Sequence, residues 1–182
     1  MTAPFATWAL LLAVVAERLL ELAFSSRNAR RAFARGGKES GRALYPWMVA
    51  FHAAFLGAFA VGALGGDGPR PVAPAPLAVV GFAYALRLWA VLSLGDRWNT
   101  RVIVVPGEPP VTRGPYALLR HPNYLAVVLE VGFLPLALGL WRTAVAFSAV
   151  NALLLAARVR DEERALGPGW EKAFAGKGRF LP

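Results

Sequence analysis

Apolar residues along this chain gather into long runs, with most of the polar residues in the segments between them. Five stretches, 4–24, 45–64, 75–95, 122–139 and 142–157, are almost continuously apolar. A helix needs about 20 such residues to cross roughly 30 Å of hydrocarbon, so the first three predict membrane spans. The last two are shorter, and only Gly139, Leu140 and Trp141 part them, which predicts a tight helical hairpin. The expected fold is an all-α integral membrane protein with five transmembrane helices. It forms one membrane domain over 1–182, with three spans in 1–95 and a loop, the hairpin and a tail in 96–182.

Charge orients these spans. The first loop carries Arg27, Arg30, Arg31, Arg35, Lys38 and Arg42 against the single acid Glu39. The third adds Arg97, Arg101, Arg113 and Arg120, and the tail adds Arg158, Arg160, Arg164, Lys172, Lys177 and Arg179. The loop near 65–74 holds only Arg70, and the hairpin tip only Arg142. Basic residues collect on the cytoplasmic side. An N-terminus outside and a C-terminus inside puts every crowded segment on one face, a parity that needs an odd number of spans. The N-terminal stretch lacks a basic leader and a clean cleavage site, so it reads as a retained anchor in a bacterial inner membrane.

Composition agrees with this class. The chain of 182 residues is 57% hydrophobic, with positive mean hydropathy, which is too apolar for an ordinary soluble domain. Its net charge of +9 follows from the basic loops, so the expected partner is the lipid bilayer and its anionic headgroups, not nucleic acid. The absence of cysteine removes thiol nucleophiles, disulfides and thiolate metal sites. His52 and His121 are too few for a histidine-rich metal centre. No helix face demands self-association, and the oligomeric state is left open.

Several ionisable residues fall inside the predicted spans: Glu17, Arg18 and Glu21 in the first, Arg87 in the third and Glu130 in the fourth. Each costs at least ~2.5–3.5 kcal/mol at the bilayer centre if it faces lipid, so they are expected to turn inward and pair. Glu17 and Glu21 share a helix face, and one cation such as Arg87 can bridge both. These four residues from the first and third spans are candidates to shape a lipid-side substrate pocket; structural ion pairing, with Arg18 reaching to the interface, is the alternative. Glu130, about two turns past the run Arg-His-Pro-Asn-Tyr at 120–124, is a candidate to reach the site that run forms. His52 reads as a satisfied interfacial histidine.

The loop 96–121 is where polar chemistry gathers. Its β-branched run 102–105, followed by Pro106-Gly107 and Pro109-Pro110, predicts a short local hairpin or cap. Gly114-Pro115 turns the chain into Tyr116. Pro122 suits a first helical turn, so Arg120 and His121 lie beside a helix N-terminus whose free N–H groups favour an anion. On the returning helix Arg158 and Glu162 share a face, with Glu163 beside them, and a tight hairpin brings both clusters to its open end. Cations, carboxylates and the rings of Tyr116 and Tyr124 then meet, as a zwitterionic, adenine-bearing ligand would require.

The run GPYALLRHPNY (114–124), two short spans, RVRDEERAL (158–166) and an aromatic, basic tail together resemble the isoprenylcysteine carboxyl methyltransferase family, within a wider group that includes phospholipid methyltransferases. The resemblance covers roughly 96–182. It implies S-adenosylmethionine as cofactor, held by the hairpin and tail beneath a cytoplasmic capping segment, and a lipophilic small-molecule substrate that enters from the bilayer. It assigns cofactor binding to Tyr116, Arg120, His121, Pro122, Tyr124, Arg158, Glu162 and Glu163. The N-terminal half, with 17–41 and YPWMVAFH (45–52), resembles a bacterial branch associated with type III polyketide synthases that O-methylates long-chain alkylpyrones or alkylresorcinols.

Methyl transfer from a sulfonium needs alignment and dryness more than acid–base help. A carboxylate or hydroxypyrone acceptor is ionised at neutral pH, whereas a phenol, with a pKa near 10, benefits from a base. Glu130 and His121 are the candidates for that base, and Arg120 or Arg158 for the cofactor's carboxylate. Two other readings stand beside this one. Membrane sterol reductases share a similar C-terminal signature and use NADPH, though they are about twice as long. A transport or scaffold subunit would use the buried charges as a conduction path but leaves the paired signature without a role.

Overall fold

A computed structural model describes residues 3–65 and 71–180; Arg70 lies outside the described residues. The first helix, α1 (Ala3–Ala34), runs ten residues beyond its apolar stretch. Nothing after Phe24 stops it, since Ala and Arg are good helix formers. The helix ends at Gly36, whose φ of 79° breaks the run, and the Gly37 N–H closes the end on the Ala32 carbonyl at 2.9 Å. The helices α2 (Tyr45–Leu64) and α3 (Pro74–Leu94) follow, each with proline in its first turn, where a missing N–H is harmless. The hairpin consists of α4 (Pro122–Leu136) and α5 (Trp141–Ala173). The second arm continues well past residue 157, because 158–166 is itself rich in helix formers. It bends at Gly167 (φ 72°, ψ −171°), just before Pro168.

Among the described residues, three helical segments, Tyr45–Leu64, Pro74–Arg97 and Trp141–Ala173, are long and apolar enough to cross a membrane. The other two depart from the expected five spans: α4 is apolar but only 15 residues long, and α1 carries Glu17, Arg18 and Glu21 in its middle.

The fold is not purely helical. A two-stranded antiparallel ribbon joins β1 (Lys38–Ser40) to β2 (Val102–Val104), with Glu39 opposite Ile103. The expected local hairpin does not form. The chain after β2 contains Pro106, Pro109 and Pro110, which have no N–H to donate to a ladder. The partner is instead the first loop, tied down where α1 ends.

Phe51, Phe55 and Phe59 of α2 meet Leu11 and Val14 of α1, Val80 of α3 and Val127, Val131 and Leu134 of α4 in one apolar core. A second cluster, Ala90, Tyr116, Trp170 and Phe174, packs the far end of the hairpin. The turn into it depends on Gly114, whose φ is 61° and whose missing Cβ would meet Ser93 and Trp89. We expect Gly114→Ala to lower stability by about 1–3 kcal/mol from backbone strain alone, seen as a fall in Tm. An unchanged Tm would mean this turn is not held as described.

Candidate active site

The signature run sits where the hairpin opens. Pro122 is the first residue of α4 and His121 precedes it. Beside that helix N-terminus the tail takes up two backbone donors: Arg120 N–H donates to the Gly178 carbonyl at 3.0 Å and His121 N–H to that of Arg179 at 3.1 Å. The Arg120 side chain donates from Nε to the Lys177 carbonyl at 2.6 Å, and Lys177 Nζ donates back to the Tyr116 carbonyl at 3.1 Å. Residues 177–179 are thus strapped along the run.

The antiparallel return of α5 brings the second half of the signature onto the first. The Tyr124 hydroxyl donates to the Glu162 carboxylate and accepts from Arg158 Nε at 3.1 Å. Another Arg158 nitrogen donates to the Thr100 carbonyl at 2.6 Å. His121 Nε2 lies 3.1 Å from Glu163 Oε1, and Arg179 donates twice to the same carboxylate, at 2.9 and 2.6 Å. That contact raises the Arg179 pKa still further, through the hydrogen bond first and the charge second. The rings form a stack: His121 on Tyr124 at 5.3 Å, then against Trp170 at 5.4 Å, with Trp170 on Phe174 at 4.7 Å.

These groups surround a cavity of about 250 Å³ between the hairpin, β2 and the end of α1. Of the eight cofactor candidates, Tyr116, Arg120, His121, Tyr124 and Glu162 line it. Pro122, Arg158 and Glu163 do not; Arg158 bonds to Tyr124 and Glu163 to His121, which do. Burial, and secondarily the Glu162 charge, pushes the Tyr116 hydroxyl well above its usual range, so it stays protonated and can only donate or accept as a neutral group.

Sequence reasoning missed Trp98, Asn123, Trp170 and Phe174, all of which line the cavity. The spacing of Trp170 and Phe174, one helical turn apart in an aromatic tail, was a signal for the last two. Trp98 had none, because its place depends on α1. There Asn28 donates to the Gly95 and Trp98 carbonyls at 3.1 and 2.8 Å, and Ser25 Oγ donates to Asn99 Oδ1 at 2.9 Å.

The intramembrane candidates form a separate cluster. Arg87 donates to Glu21 at 2.8 Å and to Glu130 at 2.8 Å, with Glu17 at 3.9 Å. Arg18 reaches the same three acids, at 2.9 Å to Glu17, 2.7 Å to Glu21 and 2.5 Å to Glu130. Arg87 does bridge Glu17 and Glu21, and Arg18 turns inward instead of reaching for the interface. Glu130, expected to reach the cavity, does not line it. It lies about 12 Å along the axis from the start of α4, and two guanidiniums hold its carboxylate among α1, α3 and α4. His52 bonds through Nδ1 to the Met48 carbonyl of its own helix at 2.7 Å.

Fold and site together define a mostly helical membrane protein whose polar pocket is built at the open end of a C-terminal hairpin. The chain matches the model of the isoprenylcysteine carboxyl methyltransferase (ICMT) family over residues 76–168, just over half its length and including both halves of the signature. It is 36% identical to an uncharacterized protein, YpbQ, of Bacillus subtilis (strain 168), across 87% of this chain and 95% of that one. An uncharacterized protein of Haemophilus influenzae is 27% identical across 84% and 90% of the two chains. The chain belongs to the ICMT family, and this membership suggests a methyltransferase.

Proposed function

We propose that this protein is an integral-membrane methyltransferase that uses S-adenosylmethionine to methylate an oxygen of a lipophilic acceptor, either a carboxylate or a long-chain alkylpyrone or phenolic lipid. The observation that carries the reading is the meeting of two hydrogen-bonded groups, Arg158–Tyr124–Glu162 and His121–Glu163, joined by the stack of His121 on Tyr124 at the wall of one cavity. The pocket's chemistry fits the cofactor. Asn123 Oδ1 and Trp98 Nε1 are buried in its walls with no hydrogen-bond partner among the described residues, an acceptor and a donor whose burial is costly unless a ligand completes them.

When bound, the cofactor supplies a methyl group on a positively charged sulfur. Tyr116, Arg120, His121, Tyr124 and Glu162 would hold it, with the Trp170 and Phe174 faces offering an apolar surface for a base. Arg158 and Glu163 keep Tyr124 and His121 in place, and the strapped tail excludes water. We place α1 and α4 in the bilayer with the other three helices, giving five spans, the N-terminus outside and the cavity on the cytoplasmic side of a bacterial inner membrane.

Thermal stability of the detergent-purified chain tests this. A ligand that binds only the folded state at 100 times its Kd adds about 2.7 kcal/mol. S-adenosylmethionine and S-adenosylhomocysteine are each expected to raise Tm, and NADPH to leave it unchanged. A response to NADPH alone would move the protein to a reductase chemistry, and no response to any of them would end the enzymatic reading.

A further inference from the structure

Among the described residues four arginines line the cavity, and three of them are committed. Arg35 pairs with Asp96 at 2.5 Å and Glu108 at 3.2 Å. Arg97 pairs with Glu108 at 2.9 Å and donates to the Pro109 carbonyl at 2.5 Å. Arg120 bonds the tail through Nε and is already assigned to the cofactor. Arg101 is held differently. The carboxylate it faces, Glu39, is 3.7 Å away, and Arg42 stands equally far from the same oxygen. Two guanidiniums share one carboxylate, so a positive charge is left over.

The backbone under this loosely held cation is firmly placed. Arg101 N–H donates to Asn99 Oδ1 at 3.0 Å, Asn99 is fixed to Ser25 of α1, and the Thr100 carbonyl is gripped by Arg158. The Arg101 guanidinium lies over the Tyr45 ring, 5.0 Å from its centroid, and Tyr45 is the first residue of α2. Arg101 therefore stands where the cavity meets the end of a membrane helix. Trp98, in the same segment, brings a buried indole N–H that lacks a partner among the described residues.

Resting on the methyltransferase reading, we propose that Arg101 sets acceptor specificity: it holds the ionised oxygen of the lipophilic acceptor at the cavity mouth beside Tyr45. The acceptor class that fits is a lipid with a single oxyanion at its head. Such an acceptor needs no base: its oxygen bonds to the methyl carbon as the carbon–sulfur bond breaks, the electron pair stays on sulfur, and no proton is released. The acceptor is then neutral, so Arg101 favours the substrate over the product and lets the methylated lipid leave. Because that charge fades along the reaction, Arg101 acts on acceptor affinity and KM more than on kcat.

The test uses the full chain in detergent, saturated with S-adenosylhomocysteine, and two probe pairs that differ in charge. One is hexadecanoate with hexadecanamide; the other is 4-hydroxy-6-undecyl-2-pyrone with its 4-methyl ether. We expect at least one anion to bind about tenfold or more tightly than its neutral partner, roughly 1.4 kcal/mol. Arg101→Gln is expected to shrink that preference to below about threefold, and Arg101→Lys, which keeps the charge, to retain most of it. S-adenosylhomocysteine affinity should be equal in all three proteins. No preference for either anion, or a preference that survives Arg101→Gln, would overturn the assignment. If S-adenosylhomocysteine binds none of them, the methyltransferase reading fails in its own titration and this inference falls with it.

Discussion

Replacing Arg87 with leucine is expected to destabilise the folded protein by about 3–5 kcal/mol, the cost of leaving buried charges without their partner. The Arg87 and Glu130 side chains are each only 6% exposed. After the substitution Glu17, Glu21 and Glu130 would share Arg18 alone, three carboxylates around one guanidinium in a low-dielectric setting. The penalty belongs to the unpaired acids more than to the lost arginine. Arg87→Leu combined with Glu130→Leu should therefore cost much less than the sum of the two single changes, since an apolar replacement of a buried pair is often close to neutral. Thermal melts of the four proteins in one detergent measure this coupling. Additive effects would show that the cluster does not act as a unit.

The second large effect is on ligand binding. Arg158→Ala removes the hydrogen bonds to the Tyr124 hydroxyl and the Thr100 carbonyl, leaving Glu162 and Tyr124 without a neighbouring cation. Losing a hydrogen bond to a charged group, with its buried partner left unsatisfied, costs about 1–3 kcal/mol of stability; because Tyr124 then loses the group that positions it, Kd is expected to rise about tenfold or more, roughly 1.4 kcal/mol. Titration calorimetry of S-adenosylmethionine against parent and variant is the measurement, with the ligand-free Tm as the folding control. A Kd within about threefold of the parent in a folded variant would remove Arg158 from the binding machinery. Arg158→Lys is expected to restore only part of the affinity, because an ammonium lacks the planar fork that reaches two partners at once.

The sequence carried the helices and the site unequally. Tyr45 and Pro122 mark helix starts that the structure keeps, and the start expected at 75 falls one residue earlier, at Pro74, because proline and long apolar runs act locally. The two halves of the signature were visible as residues 120–124 and 158–163, and the tight turn expected at Gly139, Leu140 and Trp141 was enough to predict that they meet, though α4 ends earlier, at Leu136. The cavity wall around Trp98 was not visible, because Asn28 and Ser25 place it from some seventy positions away. Nor could the sequence decide which of two nearby polar sites would hold Glu130. Its position along α4 suited either, and two arginines on other helices outweighed one ring of cavity residues.

What the amino-acid sequence determined by itself was therefore local: apolar runs that become helices, prolines and glycines that begin and end them, buried charges that must pair, and a polar signature at a hairpin's open end. Only the tertiary structure decided the pairing of Lys38–Ser40 with Val102–Val104, the strap of residues 177–179, and the separation of the ion cluster from the cavity. Each of these is a contact between segments far apart in the chain. The geometry of such contacts depends on how whole helices pack, and residue type or spacing does not encode it.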